Sequence, residues 1–539
     1  MAFPSLSLVF LVLSVVYALY HRITRISLRD VPGPTSTSFL YGAFPELVSG
    51  QAGEADFKWQ ETYGDVIRVR ASLGEERLLI LDPKAIYHVY QGTKYQYIKP
   101  PGRAELIRPL MRDPDINNHP RNRRAVEPAF AVGEIKSYLP IFFSCAEKMT
   151  SKWMDMISAA GDQSLIVDIA SWASKVTLDI VGEAIFDCHF GVLDESKHPL
   201  AEAYANLFFN TFSAPNSETA RSMSLSLCLV EWLPRWIIRF MVNHSPARRF
   251  SYIRNSGAVI SEITTQLLND RANDPISCKR QKDIMSLLIK AKSSSDPKTR
   301  LNDDEVLTLM NGMLFAGHET SGTTISWLLL ELAKAPAIQQ KLRAEIRANQ
   351  ALQSRNDLVP SDLDAMPYLN AVLKETLRFH PISYNSPRIA SRDDVLPLSK
   401  PVVTSSGKVL HELPIPKGTY IISSIAGYNR NKDVFGADAH MFNPERWLDS
   451  DFKRNVKVSL GMYGNLFTFI GGPQSCMGWR FAVCELQALI VEIIDKFEFF
   501  LTEDWIQIRR ESCRVMVPTL EGEVEKGAQL PLRARIAPR

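Results

Sequence analysis

The stretch from Leu307 to Leu332, LTLMNGMLFAGHETSGTTISWLLLEL, is apolar on nearly every face when read as a helix. Such a helix has to cross the interior of a protein, with other elements covering it all round. Asn302 or Asp303 caps its start, acids fill its first turn, and Pro336 stops it, so the expected helix runs from Asn302 to about Lys334. Gly312, Gly317 and Gly322 lie inside it, each costing about 1 kcal/mol against alanine, and threonines add rotamer penalties. A weak, polar centre in a buried helix has two readings. A ligand approaches the backbone beside Ala316–Ser321, AGHETS, which offers a carboxylate and two hydroxyls, or a neighbouring helix packs closely against the glycines. A zincin-type metal site is excluded, because Gly322 stands where the second histidine after His318 would be needed.

Around this helix the signals are mainly helical. Short β-type pieces with turn residues occur at Gly64–Asp82 and Val402–Ile422, and Lys292–Arg300 is the clearest polar loop. No internal repeat or long low-complexity linker divides the body, so residues 35–539 read as one large domain. The expected class is mainly α with minor β, an α+β protein. A chain of 539 residues with 45% hydrophobic and 22% charged side chains is globular rather than disordered. Its net charge of +3 gives no reason to expect nucleic acid as a partner. The seven cysteines, odd in number and without CxxC pairs, suit a reducing compartment better than a disulfide framework.

Residues 2–20, AFPSLSLVFLVLSVVYALY, are uncharged and mostly apolar, within the span of about 17–25 residues that crosses a bilayer as a helix. A signal peptide is the rival reading, but no basic segment precedes the run and no small-residue cleavage site follows it. His21, Arg22, Arg25 and Arg29 come next, which places the body on the cytosolic side. The proline-rich VPGP at Val31–Pro34 ends the helix, making residues 21–34 a basic, stiff joint between a transmembrane anchor and the body.

Four constellations carry chemistry. In FTFIGGPQSCMGWRF, Phe467–Phe481, glycines and a proline hold Cys476 in irregular backbone. Glu375 and Arg378, three apart on an expected helix, share a face, and alone they read as a surface ion pair worth a few tenths of a kcal/mol. His119, Arg123 and Arg124 place cation-capable groups on a helical stretch, whose plain reading is a solvated basic face. Arg388 in SPRIASRDD is a fourth, lone candidate.

Taken in order, these pieces resemble the haem-thiolate monooxygenases, the cytochromes P450, from the joint at Val31 to beyond Glu485. Phe469 to Gly478 fits the family's Phe-x-x-Gly-x-x-x-Cys-x-Gly loop at every fixed position, and it is joined by Ala316–Thr320, by Glu375-x-x-Arg378, and by Arg446 in FNPERW. The resemblance implies the cytochrome P450 fold and haem b, with Cys476 as the iron ligand and Phe469, Gly472 and Gly478 shaping its loop. Thiolate ligation pushes electron density into haem iron, and loop glycines let amide N–H groups point at the sulfur. The resemblance also implies His119, Arg123 and Arg388 as partners of the haem propionates, and Glu375, Arg378 and Arg446 as an interior network. Thr320 and Glu319 become the catalytic pair that relays protons toward bound oxygen. One departure stands out: Gln474 occupies the position where the family usually has arginine or histidine, and glutamine offers a propionate no charge.

The implied activity is insertion of one oxygen atom from O2 into a lipophilic small molecule. Electrons come from NADPH through a separate flavoprotein reductase, with cytochrome b5 as an optional donor, and the setting is the endoplasmic reticulum membrane. The pocket is expected to draw on Met313, Phe315 and Ala316, on the loop before His119, and on Ser383, Tyr384 and Asn385. Leu227–Val242, LCLVEWLPRWIIRFMV, reads either as an interfacial segment or as a buried helix pair. GPTSTSFLYG near the start and GAQLPLRARI at the end are similar to fungal microsomal members that oxidise terpenoids or other secondary metabolites. Two other classes stay open: an electron-independent haem-thiolate isomerase or dehydratase, and a non-catalytic haem-binding protein.

Overall fold

The structure is a computed structural model that describes residues 28–538 except 37, 94, 113–118, 162–163, 195–196, 215, 274–283, 297, 353–357, 451–457 and 504–506. The expected anchor, residues 2–20, and the first part of the joint lie outside the described residues. Among the described residues no helix is long and apolar enough to cross a membrane.

The central helix forms as its caps require, spanning Asp303–Lys334. The Asn302 side chain accepts from the Glu305 amide and the Glu305 carboxylate accepts from the Asn302 amide, both at 2.9 Å, so two donors at the helix start are satisfied reciprocally. The helix stays continuous through its weak centre, and its glycines serve packing. A Cβ on Gly322 would lie 3.1 Å from the backbone of Ala173, and one on Gly317 would lie 2.9 Å from the Val181 side chain. Both neighbours belong to the helix Ile169–Ile185, which is laid directly against the central one. Thr177 on that helix donates to the His318 carbonyl at 2.9 Å. The ligand reading of the glycines therefore gives way to the packing reading.

Strands β1 (Val66–Arg70), β2 (Glu76–Ile80), β3 (Tyr97–Ile98), β5 (Asn385–Ala390) and β8 (Tyr420–Ser424) make the main sheet, in the order β1-β2-β8-β5-β3. The β1–β2 hairpin is the piece expected at Gly64–Asp82, with Val66 opposite Ile80. A second sheet joins β4 (Ser164–Asp168), β12 (Pro531–Ile536) and β9 (Phe497–Leu501). Two hairpins complete the β content, β6 (Asp394–Val403) with β7 (Val409–Ile415), and β10 (Ile508–Cys513) with β11 (Val515–Leu520). Helices hold most of the remaining chain, so the α+β reading with α in excess stands.

One contiguous core spans the helical layers and includes Phe142, Trp153, Trp327, Leu373 and Leu489. The helix Trp479–Lys496, which follows the Cys476 loop, is buried over most of its length. Cys145, Cys228, Cys484 and Cys513 are buried free thiols, as expected for packed cysteines. Cys188 is half-buried, and Cys278 lies outside the described residues.

Glu375, Arg378 and Arg446 form the interior network that the resemblance implies, not the surface ion pair that the first two residues suggest alone. Both side chains are fully buried, and the Arg378 Nε and Nη2 donate to the two Glu375 carboxylate oxygens at 2.8 and 2.7 Å. Arg446 Nε and Trp447 Nε1 donate to the same carboxylate at 3.2 and 2.9 Å. Arg378 also donates to the carbonyls of Asn429 and Ala439, at 2.9 and 2.6 Å, and so ties segments far apart in the chain. The pair escapes the surface because residues 429–447 fold over it.

Candidate active site

The Cys476 loop is built by close backbone approach. Gly472 has φ +72°, and a Cβ there would lie 2.3 Å from the Tyr90 carbonyl oxygen; one on Gly471 would lie 2.0 Å from that of Leu460. Neither position tolerates a side chain. A short turn at Gly472–Gln474 closes when Ser475 N donates to Gly472 O at 3.0 Å, and Cys476 N then donates to Phe469 O at 2.9 Å. Gly478 is the first residue beyond the thiol's turn and the N-cap of Trp479–Lys496. Cys476 is thereby held at a helix start with the Gly478 amide bonded toward it, where negative charge is favoured.

Burial pushes the Cys476 thiol up, while the Gly478 amide and then the Arg123 charge pull it the other way. Cys476 is closely surrounded by protein, yet the residue keeps accessible surface. The central helix shows the same combination along one stripe. Gly312, Phe315, Ala316, Gly317, Glu319 and Thr320 keep surface, whereas Leu314, His318, Ser321 and Thr324 are buried. Spacings of three and four residues make this one helix face. The two segments are joined where Ser321 Oγ donates to Glu485 Oε2 at 2.6 Å, linking the central helix to the one that Cys476 precedes.

Two cations from opposite ends of the chain reach this region. Arg123, on the helix His119–Val126, donates through Nη1 to the Ser475 carbonyl at 2.7 Å, directly beside the thiol. Arg388 on β5 is buried over the Tyr90 ring at 4.6 Å, with Nη1 on Ser386 Oγ at 2.9 Å and Pro387 O at 2.8 Å. Its Nη2 is buried and has no hydrogen-bond partner among the described residues. The solvated-face reading fails for Arg123, since the Cys476 loop packs over it. His119 opens the same helix one turn earlier, and its side chain lies outside the described residues, as does the loop 113–118. Gln474 is half-buried in the turn before the thiol.

This donor set fits haem. An enclosed thiol at a helix start, glycines that admit close approach, and an orphaned guanidinium nitrogen match a planar anionic group ligated through sulfur. Cys476 would hold the iron, and Arg123, Arg388 and Gln474 would offer donors to the propionates.

Burial raises the Glu319 carboxyl to about 7, and Nε2 of His318, itself held neutral by burial, lies 3.6 Å from it. Thr320 Oγ1 donates to Ala316 O at 2.8 Å. Of the expected pocket residues, Phe315 stacks near Phe208 at 4.7 Å and Ala316 is open, but Met313 is buried. Ser383 keeps accessible surface and Asn385 is half-buried at the start of β5. The hydroxyl of Tyr384 is engaged by Ser512 Oγ at 2.6 Å, so it is not free to orient a ligand. Sequence reasoning missed the role of Glu485, whose carboxyl burial pushes up to about 8. Its only signal is an acid inside an apolar helix. A surface cleft of about 710 Å³ beside Asp65, Lys400 and Arg430 contains none of these residues.

The comparisons with known proteins agree with the geometry. The cytochrome P450 family model matches residues 31–525. A cytochrome P450 monooxygenase of Postia placenta, number 205, is 31% identical over 95% of this chain and 93% of its own length. The monooxygenase claQ of Ampulloclitocybe clavipes is 31% identical over 93% of this chain and 92% of its own. A ganoderic acid synthetase of Ganoderma lucidum is 29% identical over 94% of both chains. With the family model spanning nearly all of the described body and relatives 31% identical over most of both chains, this chain belongs to the cytochrome P450 monooxygenases.

Proposed function

We propose that this enzyme inserts one atom of O2 into a lipophilic small molecule, a terpenoid or other fungal secondary metabolite, with electrons from NADPH through a flavoprotein reductase. The observation that carries this reading is the pairing of an enclosed, accessible Cys476 with an accessible Glu319–Thr320 face on the adjoining helix. Haem bound at Cys476 would supply activation of O2 through a thiolate-ligated iron. The chain's own residues then manage protons. Glu319, with a pKa of about 7, still carries a proton near neutral pH and can release it. Thr320 uses its hydrogen to bond Ala316 O, which leaves its oxygen able to accept from a proton donor and pass the bond onward. Open Ala316 leaves room for substrate beside this pair, and the aromatic contact of Phe208 with Phe315 gives an apolar wall.

The proposed setting is the endoplasmic reticulum membrane, with residues 2–20 as a single-pass anchor and the body in the cytosol. The stretch Leu227–Val242 supports this from the body's side. Ile238 and Val242 are buried, while Trp232, Trp236 and Phe240 are 65%, 70% and 60% exposed, flanked by Arg235 and Arg239. Exposed aromatics beside arginines are the pattern of an interfacial segment.

The test is the carbon monoxide difference spectrum of the reduced, membrane-expressed protein, followed by turnover with reductase. A strongly red-shifted Soret band and NADPH-dependent oxygenated product are expected. A histidine-type band would refute thiolate ligation. Product formed without NADPH would assign the chain to electron-independent chemistry instead.

A further inference from the structure

The region holds more cations than Arg123 and Arg388. Lys99 and Arg514 keep accessible surface while closely surrounding protein lowers the pKa of both. Burial lowers Lys99 to about 8, with Arg388 and Arg514 adding repulsion, and lowers Arg514 to about 10, with Arg103 adding to it. Among the described residues neither has an ion pair to a carboxylate. Arg103 is different, since Glu231 lies 3.5 Å from it. An enclosed cation without a counter-charge is costly unless a ligand supplies one.

The position of Arg514 is specific. Cys513 pairs with Val515 across the β10–β11 hairpin, so Arg514 alone makes the turn, at φ +70°. Glycine takes that conformation without strain, and a long cation does not. The tip is pinned inside the fold. Met516 N donates to Ile382 O at 2.8 Å, Trp327 Nε1 on the central helix donates to Met516 O at 2.9 Å, and Ser512 holds Tyr384. Arg514 lies 5.6 Å from the Phe212 ring, Phe212 is 6.4 Å from Phe208, and Phe208 is 4.7 Å from Phe315 on the open stripe. A guanidinium thus stands at one end of an aromatic wall whose other end is the Ala316–Thr320 face. The one acid on that face, Glu319, is largely protonated below neutral pH and offers Arg514 little competing charge.

We propose that Arg514, reinforced by Lys99, is an anion subsite of the substrate cavity. The substrate is a lipophilic carboxylic acid whose carboxylate docks on Arg514 while its hydrocarbon part lies along Phe212, Phe208 and Phe315. A planar guanidinium binds a carboxylate through two parallel hydrogen bonds, which fixes the far end of the molecule relative to Thr320. This inference rests on the monooxygenase reading above and narrows its substrate class.

The experiment uses full-length, haem-loaded protein. Dodecanoic acid and 5β-cholanic acid, each beside its methyl ester, are titrated while the ferric Soret band is followed. At least one acid is expected to bind about tenfold or more tighter than its ester, the effect of one charge-assisted contact. That preference disappears in Arg514→Gln and survives in part in Arg514→Lys, which also guards against a variant that fails to fold. Acids and esters binding alike, no acid binding at all, or a preference unchanged in Arg514→Gln overturns the proposal. Lys99→Met is expected to weaken acid binding at unchanged haem content; lost haem with intact preference overturns the part given to Lys99. The carbon monoxide spectrum of the same preparations separates the two failures. A missing thiolate band refutes the monooxygenase reading, whereas a normal band without acid preference refutes only the anion subsite.

Discussion

Ser321 Oγ donates to Glu485 Oε2 at 2.6 Å, and both residues are buried. The bond ties the helix that bears Glu319 and Thr320 to the helix that begins just after Cys476. Burial raises the Glu485 pKa from 4.5 to about 8, with the Ser321 bond pulling the other way.

That shift has a measurable sign. Between pH 4.5 and about 8 the folded state holds a proton that the unfolded chain has lost. Glu485's contribution is therefore complete below the lower value and fades as pH rises through the upper one, at up to about 1.4 kcal/mol per pH unit. Glu485→Gln keeps a neutral group and removes this share of the alkaline loss. Urea midpoints at pH 5, 7 and 8.5 should fall more steeply in the parent than in the variant; parallel curves would show that Glu485 is ionised in the folded protein.

Thr320→Ala should uncouple the enzyme. Among the described residues its hydroxyl bonds only within its own helix turn, to Ala316 O, so the loss in stability is expected to stay below about 1 kcal/mol. NADPH consumption continues while hydrogen peroxide replaces product. Peroxide released per NADPH is the readout, and unchanged coupling would remove Thr320 from the relay.

Glu319 sets an alkaline limb. With its pKa near 7, the acid that feeds protons to Thr320 is lost as pH rises, so turnover declines above neutrality in the parent. Glu319→Gln cannot release a proton; turnover at pH 6.5 should fall about tenfold or more, and the limb should vanish. A pH–rate profile of the same shape in both proteins would assign proton delivery elsewhere.

Glu375→Gln leaves Arg378 and Arg446 buried without their shared counter-charge. The expected cost is about 3–5 kcal/mol, enough to deplete folded, haem-bearing protein. Thermal denaturation and haem yield check this, and a midpoint within a few degrees of the parent would show that the network is dispensable.

Gln474→Arg restores a charge at the turn before Cys476. Because Arg123 already braces Ser475 and Arg388 already offers a free nitrogen, haem dissociation and midpoint potential are expected to change little. A large change in either would make position 474 the main propionate contact.

The central helix and the Cys476 loop were legible from sequence, because what specifies them is local. A capping box needs residues three apart, a proline stop needs one, and Gly471 and Gly472 mark where backbone must pass close. Order and spacing of motifs then pointed to Cys476, Glu319, Thr320, Arg123 and Arg388 as the residues to test. Whether Gly317 and Gly322 served a ligand or a helix was decided by Val181 and Ala173, more than a hundred residues away in the chain. Spacing alone makes Glu375 and Arg378 a surface pair; the resemblance makes them interior, and residues 429–447 are what cover them, while Tyr384 looked available until Ser512 took its hydroxyl. Arg514 sits at a hairpin tip that lies beside the central helix because β11 is bonded to Trp327. Propensity, capping and backbone clearance depend on a residue and its near neighbours, so sequence alone settled them. Burial, and with it every shifted proton and unmatched charge in the cavity, depends on which distant segment lies on top, and only the tertiary structure decided that.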